Sequence, residues 1–169
     1  MEAPTGGQAQ DTSGKVGEGP VLVRPAVESD AAHIRRMVRR ERLNPTGLSW
    51  PRFLVALDEA GNVVGCGQVK PLGGGARELA SLVVEPEWRS RQVGASLMRR
   101  LMADAGPPLW LMCRSGLREY YERFGFRVVA ADAPQPKYFT RMRRLAAAVR
   151  MMVGMREELT VMLWEGPAE

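Results

Sequence analysis

The residues with the clearest chemical potential form the run Arg89-Ser90-Arg91-Gln92-Val93-Gly94-Ala95. Two guanidinium groups flank a glycine-containing turn, and the helical pattern of Leu97, Met98, Leu101 and Met102 begins directly after it. The apolar, β-rich run Leu79-Ala80-Ser81-Leu82-Val83-Val84 comes before it and stops at Glu85-Pro86. A strand that turns into a helix leaves the helix's first N–H groups unpaired, with the positive end of the helix dipole behind them. Such a turn binds anions, phosphates above all. Other reactive side chains are scarce. Cys113 and Cys66 sit singly in apolar runs, without metal-ligand spacing or the density of a disulfide scaffold. Both read as reduced, buried thiols, and Cys113 has no histidine placed to make it a nucleophile. His33, the single histidine, has no carboxylate or second ligand at recognisable spacing and reads as a surface or half-buried residue. No metal site is expected.

The frame that must hold this turn is one domain. At 169 residues and 45% hydrophobic, the chain can bury a substantial core but not two. Lys+Arg at 24 against Asp+Glu at 19 gives a net charge of +5, which suits a phosphate-bearing ligand without requiring nucleic acid. Arg35, Arg36, Arg39, Arg40 and Arg42 on the first helix, and Arg141, Arg143, Arg144 and Arg150 further on, would be the reason to consider a polynucleotide. Solvated helix faces are the simpler reading, and nucleic acid is not expected as a partner. No apolar run approaches the ~20 residues that cross a bilayer, and 1–20 lacks a signal-peptide pattern. A cytoplasmic protein with no membrane partner follows. Residues 1–20 are Gly-, Ser-, Thr-, Gln- and Pro-rich and read as a disordered tail, with one domain over 21–166.

In chain order, Val21 opens a short strand that ends at Pro25, and Ser29 or Asp30 caps a helix that buries Ala31, Ile34, Met37 and Val38. Asn44, Pro45 and Gly47 then break the pattern. Runs 53–57, 63–69 and 78–84 predict a three-strand antiparallel meander, with Gly65 and Gly67 in its middle strand marking a bulge or a close approach of another backbone. Residues 109–113 predict a strand buried on both faces, 116–123 a short helix, and 126–130 and 159–164 the last two strands. The long connection between these two holds an amphipathic helix over 137–154. Its apolar stripe from Phe139 to Val153 packs on the domain and is a candidate contact surface for a homodimer.

Two motifs give these elements a family likeness. Val84-Glu85-Pro86-Glu87-Trp88-Arg89-Ser90-Arg91-Gln92-Val93-Gly94-Ala95 follows the pattern Val-x-Pro, then Arg/Gln-x-x-Gly-x-Gly/Ala. Tyr121-Glu122-Arg123-Phe124-Gly125-Phe126 follows Tyr-x-x-x-Gly-Phe. With both in this order, the chain resembles the GNAT superfamily of acyl-coenzyme A dependent N-acetyltransferases over Val21 to Trp164. The resemblance implies an α/β (α+β) fold: a single mixed, mostly antiparallel sheet of six to seven strands, with helices on both faces and a splayed central strand pair. It implies acetyl-CoA as co-substrate, with the pantetheine arm along Val83 and Val84 and the pyrophosphate at Arg89, Ser90, Arg91, Gln92, Val93, Gly94 and Ala95. Acetyl transfer would go directly to a primary amine of a small-molecule or peptide acceptor. Tyr121 aligns with the family's proton donor, with Tyr120 as its competitor, and Glu78 with a carboxylate that serves as general base. Strand alternation puts Glu78 on the face of Ala80 and Leu82. Two departures stand out. Gln92 occupies the place of the usual first glycine, and Arg114 and Ser115 occupy the region of the usual asparagine, so Ser115 becomes a candidate contact to the coenzyme. These departures motivate an alternative, a GNAT-fold acyl-CoA-binding or regulatory module without turnover.

Overall fold

Asp58 closes the first hairpin of the meander through its own side chain. Its carboxylate accepts from the Asn62 backbone N–H at 2.7 Å and from the Asn62 amide at 3.0 Å. The strands on either side are β2 (Phe53–Leu57) and β3 (Val63–Gly73), and a glycine turn leads from β3 into β4 (Ala76–Val84). With β1 (Leu22–Pro25), β5 (Leu109–Arg114), β6 (Arg127–Val128) and β7 (Leu159–Trp164) they form one sheet in the order β1-β2-β3-β4-β5-β7-β6. The β4 and β5 pair is parallel and every other pair antiparallel. This computed structural model describes residues 21–153 and 158–167. The tail expected over 1–20, and residue 154 at the end of the expected long helix, lie outside the described residues.

Among the described residues four α-helices cover the sheet: α1 (Ala31–Arg40), α2 (Val93–Ala105), α3 (Arg118–Glu122) and α4 (Lys137–Val153). Ile34, Met37 and Val38 of α1 bury one face together with Phe53, Val55, Cys66 and Val83. Leu97, Met98 and Leu101 of α2 bury the other with Leu79, Leu109, Leu111 and Tyr121. Trp110 alternates with Leu109 and Leu111, so its ring projects to the α1 face, where it meets fully buried Phe139 of α4 at 5.7 Å between ring centroids. The two-sided sheet read from the sequence is therefore present, with α1 and α4 opposite α2 and α3. Of the stripe on α4, Phe139 is spent on this packing, while Leu145 is 59% exposed.

Gly65 and Gly67 let α2 sit tightly on β3. A Cβ at Gly67 would lie 2.9 Å from Leu101 Cδ1, and one at Gly65 would lie 3.0 Å from both Leu97 Cδ1 and Val93 Cγ1. The nearest approach at both glycines is made by helix side chains and not by another backbone. Arg77 fixes the far end of α2 by donating to the carbonyls of Ala105, Gly106 and Pro107, which the helix itself cannot satisfy.

Two local expectations need correcting. Asp30 does not cap α1 through its side chain. Its carboxylate reaches back to the Val27 N–H at 2.8 Å and to the Arg24 guanidinium at 2.7 Å, a charge-assisted pair that outcompetes the helix amides. Leu82 does not share a face with Glu78 and Ala80. It packs into the α2 core beside Gly67, because β4 gains a residue between Ala80 and Val83.

Candidate active site

The extra residue of β4 shows in the register. Gln68 faces Ala80 and Cys66 faces Val83, two steps on β3 against three on β4. Such a bulge bends the strand that carries it. Ser81 absorbs it with a left-handed backbone at φ +55, and Gln68 Nε2 donates to Ser81 Oγ at 3.2 Å, tying the bulge to β3. On its other side β4 meets β5 at Glu78 and Trp110, and at no further ladder position among the described residues. The central pair therefore splays from Glu78 onward. The backbone of Val83 and Val84 on the β5 side lies outside any β4–β5 ladder, and apart from the Val84 carbonyl, which accepts from Arg89, it can face an extended ligand.

Where β4 ends, the turn into α2 is held by α1. Arg40 pairs with Glu85 at 2.5 Å. Arg89 pairs with Glu41 at 2.6 Å and donates through Nε to the Val84 carbonyl at 3.2 Å. Arg91 lies over the Trp88 ring, its guanidinium carbon 5.4 Å from the ring centroid. The two guanidinium groups of the turn are thus divided, Arg89 serving as a strut and Arg91 stacking on an aromatic. Ser90 and Gln92 both take φ +63. A left-handed backbone costs an L-residue about 1–2 kcal/mol, so Gln92 reproduces the glycine conformation under strain. The Ser96 N–H bonds to the Gln92 carbonyl at 2.9 Å. That closes the first helical turn and leaves the N–H groups of Val93, Gly94 and Ala95 without partners inside the helix.

Tyr120 and Tyr121 separate at this turn. A Cβ on Gly94 would lie 2.8 Å from the Tyr120 hydroxyl and 3.6 Å from Val84 Cγ2. The Tyr120 phenol therefore lies across the mouth between the end of β4 and the start of α2. Tyr121 is buried in the α2-face core, edge-on to Tyr120 at 5.2 Å and to Phe126 at 6.3 Å. Burial pushes its phenol well above the ordinary tyrosine range, with Cys113 and Tyr120 adding to the shift. The group stays protonated at any ordinary pH. Burial likewise pushes the Cys113 thiol up to about 11 and Cys66 to about 12, which leaves neither a nucleophile. Ser115 lies just past β5, exposed, its backbone N–H bonded to the Glu158 carbonyl at 2.9 Å. His33 bridges Arg36 and Glu85, at 3.1 and 3.7 Å.

Glu78, at the origin of the splay, is 4% exposed. Lys70, directly across the β3–β4 ladder, places Nζ 3.0 Å from Glu78 Oε2 and 3.3 Å from the Tyr138 hydroxyl. Asn44 Nδ2 donates to the same hydroxyl at 3.2 Å. Burial pushes the Glu78 carboxyl up, and Lys70 and Tyr138 offset this in part. Burial opposes the Lys70 charge, but Glu78 and Tyr138 outweigh it and hold the ammonium above the usual lysine value. Lys70, Tyr138, Asn44 and the bulge pair Gln68 and Ser81 are the site residues that the sequence reading missed. One signal was present: a hairpin folded about Gly74 sets Lys70 opposite Glu78.

Residues 49–128 match the family model described as acetyltransferase (GNAT) domain. Over that stretch, 80 of the 169 residues, the chain is similar to the GNAT acetyltransferases. The GNAT fold extends over most of the described chain. Rv2747 from Mycobacterium tuberculosis, solved in complex with CoA, is 22% identical with a TM-score of 0.64, covering 85% of this chain and 98% of that one. N-acetylglutamate synthase from Neisseria gonorrhoeae, complexed with coenzyme A and N-acetyl-glutamate, is 19% identical with a TM-score of 0.67. That match covers 89% of this chain and 36% of the synthase. The yncA protein from Salmonella typhimurium, with acetyl-CoA, is 16% identical with a TM-score of 0.62 over 89% of this chain and 96% of its own. A comparison with curated protein sequences gives no match. Among the described residues no helix is long and apolar enough to cross a membrane.

Proposed function

We propose that this protein transfers the acetyl group of acetyl-CoA directly to a primary amine of a small-molecule or peptide acceptor. The observation that carries this reading is the bulged, splayed β4: it ends in strand backbone outside any β4–β5 ladder and leads into a left-handed turn with three amides that have no partner inside the helix. An extended, amide-bearing arm suits the first, and a pyrophosphate suits the second. At the same mouth Gly94 makes room for the Tyr120 hydroxyl, which any Cβ there would meet at 2.8 Å. In this reading Val83 and Val84 pair with the arm of acetyl-CoA, whose thioester supplies the acetyl group. Arg89, Ser90, Arg91, Gln92, Val93, Gly94 and Ala95 form the phosphate end, and Ser115 borders the coenzyme from β5.

Each step then falls to a residue of this chain. A backbone N–H of β4 beside the splay steadies the negative charge that develops on the thioester oxygen. Glu78 accepts the proton that the acceptor ammonium must lose before its nitrogen can attack. The Tyr121 phenol, held protonated by burial, gives its proton to the departing thiolate. Glu78 and Tyr121 belong to opposite faces of the sheet, which suits an amine arriving on one side and a thiol leaving on the other.

The test is release of free thiol from acetyl-CoA with a panel of amino acids, polyamines and peptide amino termini, alongside calorimetric titration of acetyl-CoA. Binding together with amine-dependent thiol release, reduced at least about tenfold in Tyr121→Phe, is the expected result. Binding without release for every acceptor would favour the non-catalytic module, and no binding at millimolar acetyl-CoA would sink both readings.

A further inference from the structure

We propose that Lys70 and Tyr138 are the positioning residues of Glu78, so that helix α4 completes the acceptor end of the cleft. The inference rests on the reading of Glu78 as general base, and its evidence is geometric. Four segments distant in sequence form one run of contacts that ends at a carboxylate: Asn44 from the loop after α1 bonds Tyr138 in the first turn of α4, Tyr138 bonds Lys70 of β3, and Lys70 pairs with Glu78 of β4. Tyr138 sits at the centre. Its hydroxyl is 3.3 Å from Lys70 Nζ and 3.2 Å from Asn44 Nδ2, its ring lies under the same ammonium at 5.2 Å, and its backbone is anchored by Phe139 on Trp110.

A structural ion pair would need none of this to lie beside the splay. Here the pair lies in the very ladder position where β4 leaves β5, since Glu78 faces Lys70 on one side and Trp110 on the other. The charged and titratable groups facing Glu78 are Lys70 from β3 and Tyr138 from α4, while Trp110 of β5 and Asn44 of the loop bring no charge. A carboxylate buried alone would take up a proton and lose its use as a base. The ammonium 3.0 Å away favours the ionised form, and burial makes the carboxylate more basic than a solvated glutamate. Tyr138 holds Lys70 in place through its hydroxyl and its ring. In this way α4, which lies between β6 and β7 and far along the chain from the coenzyme turn, acts on the proton transfer without touching the acceptor.

The experiment follows the Glu78 carboxyl in two ways. In protein carrying 13C-labelled glutamate, with the Glu78 signal assigned by its loss in Glu78→Gln, the carboxyl is titrated in wild type, Lys70→Met, Lys70→Arg and Tyr138→Phe. In parallel, the acid limb of kcat/KM is measured for thiol release with the best amine of the panel. Lys70→Met should move both the carboxyl titration and the acid limb to higher pH by about one unit or more. Tyr138→Phe should move them the same way by less, and Lys70→Arg should restore both. If Lys70→Met fails to fold, Tyr138→Phe and Lys70→Arg decide the matter. Titrations and limbs unchanged in all variants would overturn the proposal. A wild type without turnover would instead count against the acetyltransferase reading, leaving the carboxyl titration to judge the contacts of Lys70 and Tyr138 by themselves.

Discussion

Gln92 holds φ +63 at the entrance to α2, so Gln92→Gly removes a side chain from a backbone conformation that glycine adopts freely. The left-handed conformation costs glutamine about 1–2 kcal/mol, and the added freedom of glycine in the unfolded chain takes back about 0.4–1 kcal/mol. The net gain expected is therefore about 0.5–1 kcal/mol, or about 1–4 °C in Tm for a chain of this size. Gln92→Val works in the other direction. A β-branched residue at positive φ is a true outlier, and should lose a further ~1 kcal/mol or more relative to glutamine. The series valine, glutamine, glycine should then span about 2 kcal/mol in urea unfolding at neutral pH, well outside fitting error. Acetyl-CoA titrated into the same variants should bind the glycine form at least as tightly as wild type, since the amides keep their direction. A glycine variant less stable than wild type by ~1 kcal/mol, the usual penalty inside a helix, with valine neutral, would refute the reasoning and show that residue 92 is not left-handed in solution.

Gly94→Ala should destabilise the protein by about 1–3 kcal/mol through overpacking, because its Cβ would lie 2.8 Å from the Tyr120 hydroxyl. In a Tyr120→Phe background the nearest remaining ring atom is Cζ at 3.8 Å, so the same substitution should be neutral or stabilising there. Equal costs in both backgrounds, measured as a double-mutant cycle in urea, would contradict the placement of Tyr120. Asp30→Ala should cost about 1–3 kcal/mol at pH 7, since it frees the Val27 N–H and the Arg24 guanidinium, both part-buried. The hydrogen bond from Arg24 is the main cause that holds the Asp30 pKa below its ordinary value. A depressed carboxylate contributes stability above its unfolded pKa and loses it as pH falls through the folded one. The gap between wild type and Asp30→Ala should therefore narrow as pH drops below about 4, and a gap that stays constant down to pH 2 would rule out the ion pair as its source.

The order of elements was legible wherever one period dominated. The meander, α2 and β7 stand where alternation, the helical stripe and β-branched enrichment put them, and β7 keeps its expected bounds at Leu159 and Trp164. The bulge at Ser81 was not legible. In Leu79-Ala80-Ser81-Leu82-Val83-Val84 both faces are apolar, so a slip of one residue leaves the pattern unchanged, and Leu82 was assigned to the wrong face. Glu78 read as a residue at a strand end because its neutralising partners come from β3 and from α4. The strained turn was half visible: the motif placed Gln92 where a glycine belongs, but a sequence cannot say whether the backbone kept the glycine conformation or relaxed away from it. The charge of Arg89 is plain in the sequence, but its ion pair with Glu41 is not, because Glu41 lies on a different element.

The splay between β4 and β5 also bears on self-association. A strand edge is a template for any other strand, and proteins protect their outer edges with charge, proline or short length. Here two half-edges lie within the sheet, flanked by β3 on one side and β7 on the other. They stay joined at Glu78 and Trp110, so the opening is a wedge. Inserting one extended chain between paired strands widens their spacing from about 4.8 Å to about twice that. A second sheet cannot enter such a slot, whereas a single thin molecule threaded from the open end can. The bulge thus lets the protein keep unpaired strand backbone at its centre without offering a surface on which copies of itself could stack.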